Sequence, residues 1–258
     1  MNAREYLGRL GVQPPAAAAP LDEPFLRGLH RAHLRAVPFE NLDIHLGRPI
    51  RLEPEALFHK VVHERRGGFC YELNGLFGWL LEQLGFSVTR LSARVYSSTG
   101  ALGPEFDHLA LRVDAGGGRP LLCDVGFGEG FLEPLPLEPG ESWDGRAAYR
   151  LSASGGDWLY ERRAAGGGWE KEYAFTLVPR RMEEFLQMCA FHQTSPESPF
   201  TRKRVCSIAT LEGRLTLSDG KLIETRGEER TVTPVAEAGA EAALLRERFG
   251  VTLPRAKG

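Results

Sequence analysis

The 258-residue sequence predicts an α+β fold in three parts: a helical first third, a strand-rich middle and a small mixed C-terminal part. Three observations carry that prediction. Apolar residues recur at helical spacing as far as Leu84, the period changes to two from Phe86, and Gly-rich turns punctuate the stretch that follows. The parts so divided are 1–86, 87–192 and 193–258.

In the first part, after a Pro/Ala linker over Pro14–Pro20, Asp22 can cap a helix. Phe25, Leu26 and Leu29 recur there at helical spacing, to about Arg35. Pro38 forces an extended turn through Val37-Pro38-Phe39-Glu40-Asn41-Leu42. A second helix is expected from Pro54 to His63, with proline in its first turn. The third helix is the clearest. After Gly67-Gly68, the residues Leu73, Leu76, Phe77, Leu80, Leu81 and Leu84 form one continuous apolar stripe, and Gly85 supplies the stop. Cys70 therefore opens a buried helix.

In the middle part, Val88, Leu91 and Val95 start the strands, and glycines at 116–118, 155–156 and 166–168 mark antiparallel hairpin turns. No Lys-Ser/Thr follows Gly116-Gly117-Gly118, so that run is a turn and not a phosphate loop. A helix bearing Met182, Phe185, Leu186 and Cys189 follows Pro179. A loop over Thr194–Phe200 leads to a hairpin around Leu217-Ser218-Asp219-Gly220, and a closing helix spans about Ala236–Phe249.

Composition excludes several function classes. A formal net charge of -2 supplies no global field toward nucleic acid or an anionic membrane. The basic runs Arg180-Arg181 and Arg202-Lys203-Arg204 read as solvated faces, with contact to phosphates of a small cofactor as the alternative. The start Met1-Asn2-Ala3-Arg4-Glu5 has no secretory pattern and no apolar run reaches membrane-spanning length, so a cytoplasmic protein is expected. Cysteines stand at 70, 123, 189 and 206 without a CxxC pair, which suits neither a disulfide framework nor a zinc ribbon. His59 and His63 have a metal-like spacing but no third ligand in view. They are expected on an exposed helix face, as are His30 and His33, and no metal is expected.

One constellation carries chemistry. In Phe106-Asp107-His108-Leu109-Ala110-Leu111-Arg112-Val113, alternation puts His108, Ala110 and Arg112 on one strand face; in the next strand Leu122 and Asp124 share a face. A hairpin centred on Gly116 sets His108 directly opposite Asp124. Asp124 can then fix the imidazole tautomer and leave the second ring nitrogen free as a base. Cys70, at a helix N-terminus beside such an imidazole, is expected to have a depressed pKa. The order Cys70–His108–Asp124 is that of papain-like enzymes.

The motif set goes further. Arg65-Arg66-Gly67-Gly68-Phe69-Cys70-Tyr71-Glu72-Leu73-Asn74 resembles the signature of the arylamine N-acetyltransferases. So do Val37–Leu42, His108-Leu109, Asp124-Val125-Gly126-Phe127-Gly128 and Thr194-Ser195-Pro196 with Phe200, in family order along essentially the whole chain. The resemblance implies a cysteine-proteinase-like core with an N-terminal helical bundle, a β-barrel-like middle domain and an α/β C-terminal lid. It implies a cytoplasmic enzyme of xenobiotic metabolism that uses acetyl-CoA as cosubstrate and no metal. Acetyl would pass by ping-pong transfer through acetyl-Cys70 to the amino group of an arylamine, hydrazine or arylhydroxylamine. The resemblance further implies Phe39, Tyr71, Phe127 and Phe200 as acceptor-pocket lining, and the backbone N–H groups of Cys70 and Gly126 or Phe127 as the oxyanion hole. Gly103 and Ser207 fall on the implied CoA path, and Glu40–Arg66 is implied as a buried ion pair bracing the Cys70 helix. Two other readings keep the same residues: an amide synthase acting on a carrier-bound acyl thioester, and a non-catalytic binding module. Triad geometry alone also fits a cysteine hydrolase.

Overall fold

The computed structural model describes residues 1–16, 21–163, 167–227, 229–235 and 239–254. The end of the Pro14–Pro20 linker, part of the 166–168 turn and the expected start of the closing helix at Ala236 lie outside these residues.

The N-terminal part carries α1 (Ala3–Leu10), α2 (Glu23–Ala36), the short strand β1 (Phe39–Glu40), α3 (Leu42–His45), α4 (Pro54–Phe58) and α5 (Cys70–Leu84). Asp22 caps α2 by accepting from the Phe25 N–H at 3.0 Å. Gly85, at φ 102°, ends α5 in the left-handed region that glycine tolerates best. Two expectations need correction. The helix expected over 54–63 is α-helical only to Phe58 and continues as one π-turn, His59–His63, which turns Lys60 inward and leaves His59 and His63 exposed. His30 and His33 are not exposed but fully buried. With Leu26, Leu29 and Leu34 they complete an i, i+3, i+4, i+7, i+8 stripe that faces the core.

The middle part is one eight-stranded antiparallel sheet. Its strands are β2 (Ser87–Val95), β3 (His108–Asp114), β4 (Pro120–Cys123), β5 (Leu135–Pro136), β6 (Gly140–Trp143), β7 (Ala148–Ser154), β8 (Asp157–Arg163) and β9 (Trp169–Thr176). Their order is β5-β4-β3-β2-β9-β8-β7-β6. The two edge strands β5 and β6 are consecutive in the chain, so a short connection draws the edges together and the sheet curls into a nearly closed barrel. The β3–β4 register pairs Asp114 with Pro120 and Leu111 with Cys123. The hairpin is therefore centred on Gly117, not Gly116, and Asp124 lies beyond the end of β4. This moves the pairing by two residues, and a shift of two leaves every side chain on its face.

A 3₁₀ turn at Met182–Phe185 leads into α6 (Leu186–Thr194), then α7 (Pro199–Arg202), which gives the expected Thr194–Phe200 loop helical ends. The last sheet takes β10 (Val205–Ala209), β11 (Gly213–Ser218), β12 (Lys221–Arg226) and β13 (Glu229–Pro234) and is covered by α8 (Ala240–Arg248). Its first strand is β1, which pairs with β10 and ties the N-terminal part to the C-terminal sheet. One apolar core joins α1, α2 and α5 to the outer face of β3 and β4, through Leu7, Leu29, Leu76, Leu109 and Leu111 among others. A second, aromatic core built on Phe131, Tyr149, Tyr160, Tyr173 and Phe175 fills the barrel. β3 divides the two: Leu109, Leu111 and Val113 face the first, and Ala110, on the face that carries His108, belongs to the second.

Candidate active site

The site forms where the first turn of α5 meets the end of β4. Gly67 and Gly68 let the chain approach it. A Cβ on Gly67 would fall on the Pro38 carbonyl, and one on Gly68 would stand 2.6 Å from a Glu72 oxygen. Glu72 caps the helix by accepting from the Phe69 N–H at 3.1 Å. Its other oxygen takes Lys60 Nζ at 2.7 Å. Lys60 also reaches Asp43 at 2.9 Å, and Asp43 meets Arg66 Nη2 at 2.9 Å. Arg66 and Glu40 are both buried and pair at 2.8 Å. Glu40 also accepts from the Leu42 and Gly67 N–H groups at 2.7 and 3.3 Å. A buried network of five charges thus locks the approach to Cys70.

His108 heads β3, with Nε2 2.7 Å from Asp124 Oδ2. The carboxylate fixes the imidazole and leaves Nδ1 for a neighbouring group. Asp124 Oδ1 accepts from Asn74 Nδ2 at 2.8 Å and from the Gly126 N–H at 3.0 Å. Burial pushes the Asp124 carboxyl up, but the His108 charge and these hydrogen bonds outweigh it and hold it below its usual value.

Asn74 is the hub of this arrangement. It sits one turn after Cys70, and besides Asp124 it gives Nδ2 to the Leu109 carbonyl at 2.6 Å and takes the Val125 N–H on Oδ1 at 2.8 Å. His30 supports the same loop from α2. Its Nδ1 lies 2.9 Å from the Leu132 carbonyl and its Nε2 3.1 Å from the Asp124 N–H. Those partners require a neutral ring with the proton on Nδ1. Burial agrees, drawing its pKa down to about 4. Neither supporting role is among those the sequence leads one to expect. The signals were present: Asn74 is a polar residue at i+4 from Cys70 in a buried helix, and His30 lies on the apolar stripe of α2.

Cys70 is 3% exposed. A Cβ on Gly126 would lie 2.7 Å from Cys70 Cα, so only glycine lets the Asp124 loop close over the helix N-terminus. The thiol differs from the sequence expectation. Burial pushes its pKa up, the Leu109 backbone opposes this, and Asp124 and Asp107 add to it. Desolvation is the largest influence, and it disfavours the thiolate. Ionisation of Cys70 therefore requires a proton acceptor beside it.

The aromatic residues separate into two groups. The Phe127 ring packs on His108 at 5.2 Å, and Phe39 meets Phe200 at 6.1 Å; all three phenylalanines are partly exposed. Tyr71 is fully buried, with its hydroxyl donating to the carbonyls of Phe106 at 2.7 Å and Asp107 at 3.0 Å. It clamps the loop before His108 with an enclosed side chain. The oxyanion expectation is corrected at Gly126, whose N–H is given to Asp124. The N–H groups of Cys70 and Phe127 remain. Of the two residues expected on the CoA path, Ser207 is buried, with its hydroxyl 2.7 Å from Thr216 Oγ1 and 3.0 Å from Arg214 Nη1. Gly103 packs against Asp107, where a Cβ would stand 2.6 Å from Oδ2.

Next to Phe127, between the barrel and the C-terminal sheet, lies a cavity of about 460 Å³ lined by Glu129, Gly130, Arg146, Arg162, Glu212 and Arg214, with others. Arg162 is held by Glu172 at 2.9 Å, and Arg146 Nη2 donates to the Gly213 carbonyl at 2.6 Å. Among the described residues Arg146 Nη1 is buried without a partner. Burial, with Arg146 and Arg162 nearby, draws Arg214 down to about 10. Among the described residues no group of three His, Cys, Asp or Glu side chains could hold a metal ion.

Comparisons place this geometry among known proteins. Residues 23–257 match the sequence model of a family described as N-acetyltransferase. The arylamine N-acetyltransferase of Mycolicibacterium smegmatis is 36% identical over 260 residues, covering 98% of this chain and 93% of that protein. Arylamine N-acetyltransferase 2 of Mus musculus is 32% identical over 280 residues, covering 99% and 96%. The solved structure of the Mycobacterium marinum arylamine N-acetyltransferase in complex with CoA superposes with a TM-score of 0.89 at 32% identity, covering 97% of this chain and 93% of that one.

Proposed function

This chain belongs to the arylamine N-acetyltransferase family, and from that premise we propose that Cys70, His108 and Asp124 carry its acetyl transfer. The single observation that supports these roles best is the 2.7 Å His108–Asp124 pair, whose Asp124 is bonded to Asn74 one turn into the Cys70 helix.

In the first half-reaction His108 Nδ1 takes the proton of the Cys70 thiol, which its surroundings otherwise keep protonated. The thiolate sulfur attacks the acetyl carbonyl of acetyl-CoA. The N–H groups of Cys70 and Phe127 hold the tetrahedral oxyanion. The bond to the CoA sulfur breaks, and His108 returns the proton to that leaving group. In the second half-reaction the amine nitrogen attacks acetyl-Cys70, His108 takes the amine proton, and collapse gives the N-acetyl product and the Cys70 thiol. Asp124 stabilises the imidazolium at each stage.

Phe39, Phe127 and Phe200 form the apolar wall for the aromatic ring of an arylamine, hydrazine or arylhydroxylamine. Arg146, Arg162 and Arg214 suit the phosphates of the CoA donor, in a cavity whose Glu129 and Gly130 closely follow Phe127 in the chain. The four cysteines are free thiols, which fits a cytoplasmic enzyme. Among the described residues no helix is long and apolar enough to cross a membrane. Full-length likeness to acetyltransferases does not favour an amide synthase or a non-catalytic module. Acetyl transfer from acetyl-CoA to a panel of arylamines and hydrazines tests this reading; absence of turnover with every acceptor overturns it.

A further inference from the structure

A second Asp–His–Ser cluster lies immediately upstream of the base. His192, on α6, has Nε2 3.0 Å from Asp107 Oδ1 and Nδ1 3.1 Å from Ser198 Oγ. Ser198 is fully enclosed and His192 is buried, so the serine is no nucleophile for an outside substrate. Hydrogen-bond counting leaves two proton arrangements. Ser198 Oγ lies 3.2 Å from the His192 carbonyl, which can only accept, and accepts from the Phe200 N–H at 3.2 Å. With the hydroxyl proton on that carbonyl, His192 Nδ1 donates to Ser198 while Nε2 donates to the Asp107 carboxylate, and the ring carries two protons. With the hydroxyl proton on Nδ1, the ring is neutral and only the carbonyl bond is given up.

Asp107 directly precedes His108, in a loop under strain. Phe106 adopts φ 64°, a conformation that bulky residues rarely hold. The loop is pinned by the Tyr71 hydroxyl, by Ser92 Oγ accepting from the Phe106 N–H at 2.8 Å, and by His192. The ring of His192 also packs on Phe200 at 5.2 Å and Tyr71 at 6.2 Å.

We propose that His192 is a positioning residue for acetyl transfer: as an imidazolium it neutralises Asp107 beside the nucleophile and fixes the Asp107–His108 step of the chain. The proposal rests on Cys70 being the nucleophile. The titratable groups around Cys70 are Asp124, with His108 paired to it, and Asp107 from the barrel side, Cys189 from α6, and Tyr71 from its own helix. Around Asp107 they are His192 and Tyr71, while the nearby Glu105 is engaged by Ser92 at 2.8 Å and Arg94 at 3.6 Å. Asp107 is among the carboxylates that disfavour the Cys70 thiolate. An unpaired Asp107 would disfavour it further.

The test is the pH profile of Cys70 alkylation by iodoacetamide in the full chain, for wild type, His192→Gln, Asp107→Asn and the double variant. His192→Gln is expected to move the inflection up by about one pH unit. Asp107→Asn should leave it or move it down, and the double variant should return toward wild type. Shifts of both single variants in the same direction, or no shift in His192→Gln, overturn the proposal and leave only a packing role. If His192→Gln does not fold, the ring nitrogen NMR shifts of His192 in the wild type decide: a doubly protonated ring at neutral pH supports the proposal, and a neutral ring overturns it. Failure of wild-type Cys70 to alkylate selectively would instead count against the nucleophile itself.

Discussion

The role proposed for Cys70 depends on its neighbours, because burial alone keeps a thiol protonated and inert. In the proposed mechanism His108 acts as a base in acylation as well as in amine attack, and Asp124 holds it in one tautomer. Asp124→Asn leaves the shape but offers His108 the wrong partner. Cys70 acylation, followed by rapid mixing with acetyl-CoA, is expected to slow by about 10²–10⁴-fold in that variant. His30 makes a prediction of a different kind. Its folded-state pKa of about 4 lies below its unfolded value, so its contribution is complete above pH 6.5 and is lost as pH falls toward 4. Between pH 7 and 5 this linkage removes about 2 kcal/mol of stability, readable by urea unfolding at the two pH values. NMR of the ring should show neutral His30, protonated on Nδ1, at pH 5.5; a charged ring there contradicts the assignment.

At the scale of elements, the decisive contact is the Asp124 loop against the first turn of α5. Gly126 permits it, because a methyl group there would lie 2.7 Å from Cys70 Cα. Gly126→Ala should cost about 1–3 kcal/mol by overpacking. It should also lower the acylation rate, since the backbone that must move carries Asp124. Unchanged stability and rate would show that the loop gives way freely. Much of this element was legible in the sequence. The apolar stripe from Leu73 to Leu84 and its Gly85 stop place Cys70 at the start of α5, where it stands. The hairpin expected from the sequence lies two residues out of register, yet His108 and Asp124 still meet because the strand period is two. The supporting side chains were harder to read. The exposed face expected for His30 and His33 conflicts with their spacing, which matches the buried face of α2. The electrostatics of Cys70 were not legible, because desolvation depends on how three separate segments close over one atom.

At the scale of the molecule, the eight-stranded sheet curls until β5 and β6 approach one another, and the C-terminal sheet is anchored to the N-terminal part by β1 pairing with β10. The arginine cavity arises between these two sheets from residues 146, 162 and 214. The basic runs singled out in the sequence, at 180–181 and 202–204, contribute nothing to its lining; Arg162, of the Arg162-Arg163 pair, does. Substituting Arg146 or Arg214 with alanine should raise the KM for acetyl-CoA by about tenfold, the loss of one charge-assisted hydrogen bond. Acylation by p-nitrophenyl acetate, which has no phosphates, should be unchanged. An equal loss with both donors would remove the cavity from the donor site.

The most direct test of the whole account is the mass of the protein after incubation with acetyl-CoA in the absence of an amine. Peptide mapping should find one acetyl group, on Cys70, with release of one CoA per chain; addition of an arylamine should discharge it as the N-acetyl product. Transfer to the amine without acetylation of Cys70, or with the acetyl group on another residue, would contradict the account.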